Sequence, residues 1–177
     1  MKFPSLNIPQ YPIRMRRSAD GGIQFWDVCR KKWLESTPEE WVRQNFLAYL
    51  IAERGCPVQF VSTEYPVKVN GQSQRVDIMV FDSAAQPWLL VECKATDVPL
   101  SQDVLMQAAR YNMVLNVPFL VVTNGVETRC FGRKSGESLL TPCQMPFSHE
   151  FKDVIMIFIN KFFTKFAISI IIPFLFC

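Results

Sequence analysis

A single histidine, His149, leaves this chain without a Ser-His or Cys-His catalytic set and without a histidine-based zinc site. Its six cysteines (29, 56, 93, 130, 143 and 177) include no C-x-x-C pair. That excludes the common zinc ribbons and thioredoxin-type motifs, and fits the reduced thiols of a cytoplasmic protein. No G-x-x-x-x-G-K-[S/T] loop is present, so nothing here cradles nucleotide phosphates in the manner of a translocating ATPase. The opening Met1-Lys2-Phe3-Pro4 lacks the apolar run of a signal peptide, and no export is expected. Nor is there an internal repeat or a long low-complexity linker. The net charge is only +3, from 19 Lys and Arg against 16 Asp and Glu, so any affinity for nucleic acid must come from local clustering. A chain of 177 residues is long enough to bury one core without disulfides.

What is present centres on a β-hairpin that carries charge where a hairpin should avoid it. The β-branched and aromatic residues from Arg75 to Phe81 predict one strand and Trp88 to Val91 another, with Asp82 to Pro87 supplying the turn. A turn centred between Ala84 and Ala85 pairs residues whose numbers sum to 169, which sets Asp77 opposite Glu92. Their Cβ atoms would then lie roughly 5 Å apart. Lys94 shares the face of Glu92, while Leu89, Val91 and Cys93 point to the other, apolar face. Two facing carboxylates destabilise a sheet unless one is protonated or a cation lies between them. A divalent metal is the simplest resolution. The ligands on offer are hard oxygens, namely Asp77, Glu92 and the backbone carbonyl of Cys93, and these suit Mg²⁺ or Mn²⁺ better than zinc.

Elements on either side frame this hairpin. Ile13 to Arg17 and Ile23 to Val28 flank the turn-rich Ser18-Ala19-Asp20-Gly21-Gly22 and predict an irregular hairpin. Arg14, Arg16, Arg17, Arg30, Lys31 and Lys32 gather positive charge around Phe25 and Trp26 there, as a solvated basic face or a set of phosphate contacts. Thr37, Pro38 and Glu40 form a capping box that starts a helix running to about Arg54, with Gly55 as its stop. Arg43 is expected as a surface charge one turn beyond Glu40, available to phosphates. Gln59 to Val69 predicts a strand containing Glu64, and its Pro66 argues for an edge position. Asn70-Gly71 then turns the chain into the central hairpin. Arg75 shares the face of Asp77 and is expected to help hold the site's negative charge together. Ser101 caps a helix over Gln102 to Leu115, on which Gln107 and Tyr111 share a face. Val117 to Thr123 and Glu127 to Phe131 predict two further strands.

An aspartate, a turn, then Glu92-x-Lys94 on the next strand resembles the PD-(D/E)xK nuclease superfamily, with Val76 in place of the name-giving proline. Gln107-x-x-x-Tyr111 on the following helix matches a branch that includes recombination-type helicase-nucleases and type I restriction R subunits. Together with Thr37-Pro38-Glu39-Glu40-Trp41-Val42-Arg43-Gln44 and Thr123-Asn124-Gly125, these residues make the stretch from about 13 to 150 similar to small stand-alone relatives of the N-terminal domain of type I restriction enzyme R subunits. The resemblance implies an α/β fold with a restriction-endonuclease-like α-β-β-β-α-β core, a mixed sheet flanked by helices. It implies Mg²⁺-dependent or Mn²⁺-dependent hydrolysis of DNA phosphodiester bonds, with Asp77, Glu92, Lys94, Gln107 and Tyr111 in the site. Glu40 has two readings, a capping side chain or a further metal ligand. DNA and other restriction-system subunits are the implied partners, and self-association stays open.

Two other classes compete. One is a DNA-binding or partner-binding module of the same fold that has lost turnover. The other is a membrane-associated chain, since Val154 to Cys177 is strongly apolar. Its longest stretch, the 12 residues from Phe166 to Cys177, is shorter than the roughly 20 that a spanning helix needs. Packing on the core, an interfacial segment and a spurious extension of the reading frame all account for this tail, and the abrupt change of composition after Lys152 favours the extension. The chain therefore divides into a lead-in with a basic hairpin (1–34), a nuclease-like core (35–152) and an apolar tail (153–177).

Overall fold

A computed structural model describes residues 3–134 and 136–146. The apolar stretch from Val154 onward lies outside the described residues, and no described helix is long and apolar enough to cross a membrane.

The first unit is a small antiparallel sheet of β1 (Met15–Arg17), β2 (Ile23–Asp27) and β3 (Lys32–Glu35), in that order. β3 extends the predicted hairpin; its register sets Trp26 beside Trp33 and Phe25 beside Leu34. Phe25 is fully buried and packs against Trp41 and Phe3. Helix α1 (Pro38–Ala52) carries Trp41, so these rings fasten the sheet to the helix. Asp27 strengthens the joint by accepting from Thr63 Oγ1 at 2.7 Å and from Arg30 Nε at 2.7 Å.

The main sheet runs β4 (Val61–Val69), β5 (Gln72–Phe81), β6 (Pro87–Cys93), β7 (Phe119–Thr123), β8 (Thr128–Arg133) and β9 (Leu140–Pro142) in sequence order. Only the β6 to β7 step is parallel, and α2 (Gln102–Leu115) makes that crossover. α1 packs on one face of the sheet over Ile78, Val80, Leu89, Val91, Cys93 and Val121, which all belong to one buried cluster with Val42, Phe46 and Leu50 of the helix. α2 covers the other face through Ala108 and Tyr111, over Met79, Leu90, Leu120 and Val122. The result is the predicted mixed sheet between helices, with Pro66 on the edge strand β4. One expectation fails here: the face of the hairpin holding the acids is also apolar, because Met79 and Leu90 are wholly buried under α2.

Side-chain alternation reverses within this sheet. On β5, Val76 belongs to the α2 side, yet Ile78 and Val80 belong to the α1 side. β4 behaves alike, with Val61 on the α1 side and Val67 on the α2 side. Ideal strands keep residues of one parity on one face. The reversal falls where Glu64 adopts φ 55°, a left-handed conformation rare outside glycine. The paired positions skip from Thr63 and Ile78 to Tyr65 and Val76, leaving Glu64 and Asp77 as the interrupted row. Asp77 thus sits where neither apolar layer claims its side chain.

The described elements close a two-sided core before Pro146. A chain ending there is expected to unfold in one cooperative transition, followed by circular dichroism in urea. Absence of a transition would show that the core draws on residues beyond it.

Candidate functional site

The predicted register holds. Ile78 pairs with Val91, Met79 with Leu90 and Val80 with Leu89, and an irregularity between Val80 and Phe81 absorbs the approach to the turn. Asp77 and Glu92 occupy the next position along. The Asp77 carboxylate takes the place of a ladder acceptor there, with Oδ2 accepting from the Cys93 amide at 2.6 Å. Glu92 Oε1 accepts from Lys94 Nζ at 2.9 Å, and Glu92 Oε2 is buried with no hydrogen-bond partner among the described residues. Lys94 is itself tied to β7, since its amide donates to the Thr123 carbonyl at 2.8 Å.

Burial governs the electrostatics. It raises the Asp77 carboxyl well above the ordinary carboxylate range, and the Arg43 charge and the Cys93 amide offset this only in part. Glu92 is raised by burial and then by the charge on Asp77, and Lys94 pulls against both. Burial alone would lower Lys94, but its hydrogen bond and charge interaction with Glu92 prevail and raise it. Lys94 is accordingly a fixed ammonium. Two acids reluctant to ionise beside a committed cation are what a site short of positive charge looks like.

Arg43 departs most from expectation. It is 6% exposed, not a surface charge, and lies among four carboxylates. Nη2 contacts Asp77 Oδ1 at 2.8 Å and Glu39 Oε1 at 3.1 Å, while Nη1 contacts Glu40 Oε2 at 3.0 Å and also Glu64. Burial works against its charge, but the surrounding acids, Asp77 foremost, hold it protonated. Glu40 is buried with it and is turned away from the helix start. Thr37 accepts from the Glu40 amide at 3.0 Å, which is half a capping box, while the Glu40 side chain takes Arg43 and Gln44. Of its two readings, the capping one is therefore not realised. Arg30 is also withdrawn from solvent, bonded to Asp27 with Nη2 at 3.9 Å from Glu40. Arg75 is 72% exposed and reaches only Glu64, at 3.4 Å, so it does not brace Asp77.

Gln107 and Tyr111 share a face as expected, and Nε2 of the first meets the phenol oxygen of the second at 3.2 Å. That phenol donates to Gln74 at 2.9 Å, so the pair is anchored to β5 and its hydrogen bonds do not reach Asp77 or Glu92. The Thr123-Asn124-Gly125 turn is structural. Asn124 Oδ1 accepts from the amides of Val126 and Glu127, and Gly125 has φ 80° where a Cβ would meet Leu6 at 2.6 Å. Arg14, Arg16, Arg17, Lys31 and Lys32 stay exposed on the small sheet, with Arg16 lying 4.4 Å over Trp33 and Arg14 5.3 Å over Trp26.

Glu64 is the residue that sequence reasoning passed over. The sum of 141 that pairs β4 with β5 across Asn70-Gly71 places it opposite Asp77, so Glu64, Asp77 and Glu92 form one row over three strands. As arranged, no three His, Cys, Asp or Glu side chains among the described residues gather closely enough to hold a metal. The donor chemistry still fits a hard divalent cation. Two carboxylates lie in adjoining positions, one with a buried oxygen lacking any partner, and magnesium commonly takes one or two carboxylates and fills its remaining positions with water and phosphate.

A mixed α/β sheet flanked by helices, with opposed acids and a lysine at the end of its central hairpin, is the class that fold and site define. The chain belongs to the family described as type I restriction enzyme R protein N terminus, which matches residues 38–144. A solved fragment ascribed to an HsdR subunit of a type I restriction enzyme from Vibrio vulnificus YJ016 is similar at 22% identity, covering 61% of this chain and 23% of that one, with a TM-score of 0.43. No curated protein matches.

Proposed function

We propose that this chain is a metal-dependent nuclease domain that hydrolyses DNA phosphodiester bonds in a restriction-type system, in the PD-(D/E)xK manner. The observation that carries the reading is the buried, unpartnered Glu92 Oε2 in the row that Asp77 occupies, with Lys94 2.9 Å from the other Glu92 oxygen. Family membership supports it. Asp77 and Glu92, with the Cys93 carbonyl, would hold Mg²⁺ or Mn²⁺, and Glu40, which shares Arg43 with Asp77, would join a second position. Bound there, the ion would supply Lewis-acid polarisation of the scissile phosphate.

The chain's own groups do the remainder. Lys94, kept protonated by Glu92, cannot accept a proton from water; it stabilises negative charge as that charge develops on the phosphate. Gln107 and Tyr111 lie on the α2 side of the sheet, as does Glu92 by alternation, and would orient DNA or water from that side. Arg14, Arg16, Arg17, Lys31 and Lys32 supply spread phosphate contacts on an exposed sheet.

A second reading has its own observation. Arg43 already pairs with Asp77 Oδ1 at 2.8 Å, where an ion would have to bind, which favours a module that binds DNA without cutting it. Nicking of supercoiled plasmid by the purified chain, with and without Mg²⁺, separates the two. Mg²⁺-dependent relaxation is expected, whereas DNA binding without any nicking would leave the binding module.

A further inference from the structure

Arg43 holds the centre of the acid row, and a purely structural reading of it is incomplete. Among the described residues, a guanidinium whose fork serves Glu39, Glu40 and Glu64 is the one cation paired with Asp77 Oδ1, yet its own Nε is buried there without a hydrogen-bond partner. Glu92, 4% exposed, keeps one oxygen unpartnered in the same row. The row thus holds more acids than cations, and Arg43 sits on the carboxylate which the proposed ion requires. Arginine cannot resolve the conflict by losing its proton. It can give up one contact of four.

Resting on the nuclease reading above, we propose that Arg43 is a positioning residue that substitutes for the divalent ion in the metal-free protein and releases Asp77 to the ion on binding, staying tethered by Glu39 and Glu64. Those two partners are suited to that part: Glu39 Oε1 lies 3.1 Å from Nη2, the nitrogen that also touches Asp77, and Glu64 holds Nη1. Glu64 meets Arg43 from the interrupted row, where its backbone is left-handed. Arg43 and the ion then compete for Asp77, and competition at equilibrium is reciprocal. Removing the guanidinium must tighten the ion, and the ion must restore stability that the lost guanidinium had supplied.

Mn²⁺ binding to the full chain, measured by calorimetry and by the electron paramagnetic resonance of free Mn²⁺, tests this without reference to cleavage. Arg43→Gln is expected to melt lower than the native chain in the absence of metal. It should bind Mn²⁺ at least about 5-fold tighter, within the usual range of coupling between sites. At saturating Mn²⁺ the gap in melting temperature should narrow. Arg43→Lys is the second variant should the glutamine protein not fold. Its compact ammonium cannot span Glu64 and Asp77 together, and tighter Mn²⁺ binding, by about 3-fold or more, is expected there as well. Native chain that binds Mn²⁺ while the folded variants bind it equally or more weakly overturns the inference and leaves the nuclease reading standing. No Mn²⁺ binding by native chain or variant overturns both.

Discussion

Replacing Lys94 by alanine is expected to lower the rate of DNA cleavage by roughly 10²-fold or more while DNA affinity changes little. The ammonium lies 2.9 Å from Glu92, in the row of the acids, and its side chain is largely buried. The exposed basic residues of the small sheet, Arg14, Arg16, Arg17, Lys31 and Lys32, belong to a different unit. On the proposed reading, chemistry and affinity are carried by separate groups, and single-turnover cleavage with a saturating enzyme concentration reads the first alone. Were Lys94 one more phosphate contact, its loss would weaken binding modestly and reduce the salt slope by about one unit. Weakened binding with unchanged cleavage per bound complex would remove it from the catalytic set.

Glu92→Gln should abolish cleavage and yet stabilise the metal-free protein at alkaline pH. Glu92 is raised to about 7 and Asp77 to about 6, both by burial first. A carboxyl raised on folding keeps its proton in the folded chain over a range where the unfolded chain has released it. Stability is thus fully present below the ordinary carboxylate range and lost as pH climbs through 6 to 7. Neutralising Glu92 removes part of that loss, on the order of 1–3 kcal/mol at pH 8, and close to nothing at pH 4. For a chain of this size that amounts to about 2–4 °C of melting temperature per kcal/mol. Thermal melts in chelator at the two pH values check it. A variant no more stable than the native chain at pH 8 would mean that Glu92 rests in the site as a comfortable anion, and the need for a cation would disappear.

Much of this site could be read from residues because local chemistry fixes register. Asp82 accepts from the amides of Ala84 and Gln86, each at 2.8 Å, and Ala85 takes φ 59°, so the turn is where its residue types placed it. The facing of Asp77 and Glu92 follows from that turn together with the irregularity between Val80 and Phe81. The second helix keeps its expected bounds, Gln102–Leu115, with Asn116 in the left-handed conformation that ends it, although the Ser101 side chain makes no capping hydrogen bond. Arg43 was not legible. Helical spacing tells which way a side chain leaves its helix, and what waits across the interface is settled by the packing of α1 on the sheet. Glu64 was half legible: the Asn70-Gly71 turn determines its partner as surely as the other turn determines that of Asp77. Its left-handed backbone, which reverses both faces of the strand pair, breaks the period-two assumption on which strand reading depends. β3 and β9, of 4 and 3 residues, are too short to show a period at all.

β4 ends the sheet beside this acid row, and an outermost strand is ordinarily a template on which a foreign strand can grow. Pro66 has no amide hydrogen to offer such a strand, Lys68 presents an exposed charge two residues on, and the left-handed Glu64 interrupts the flat geometry that zipping up requires. At the opposite border β9 has only three residues to offer. The distortion at Glu64, beside its contact with Arg43, is thus of the kind that disfavours edge-to-edge self-assembly. Smoothing β4 with Glu64→Val and Pro66→Thr would invite fibres before it improved the sheet.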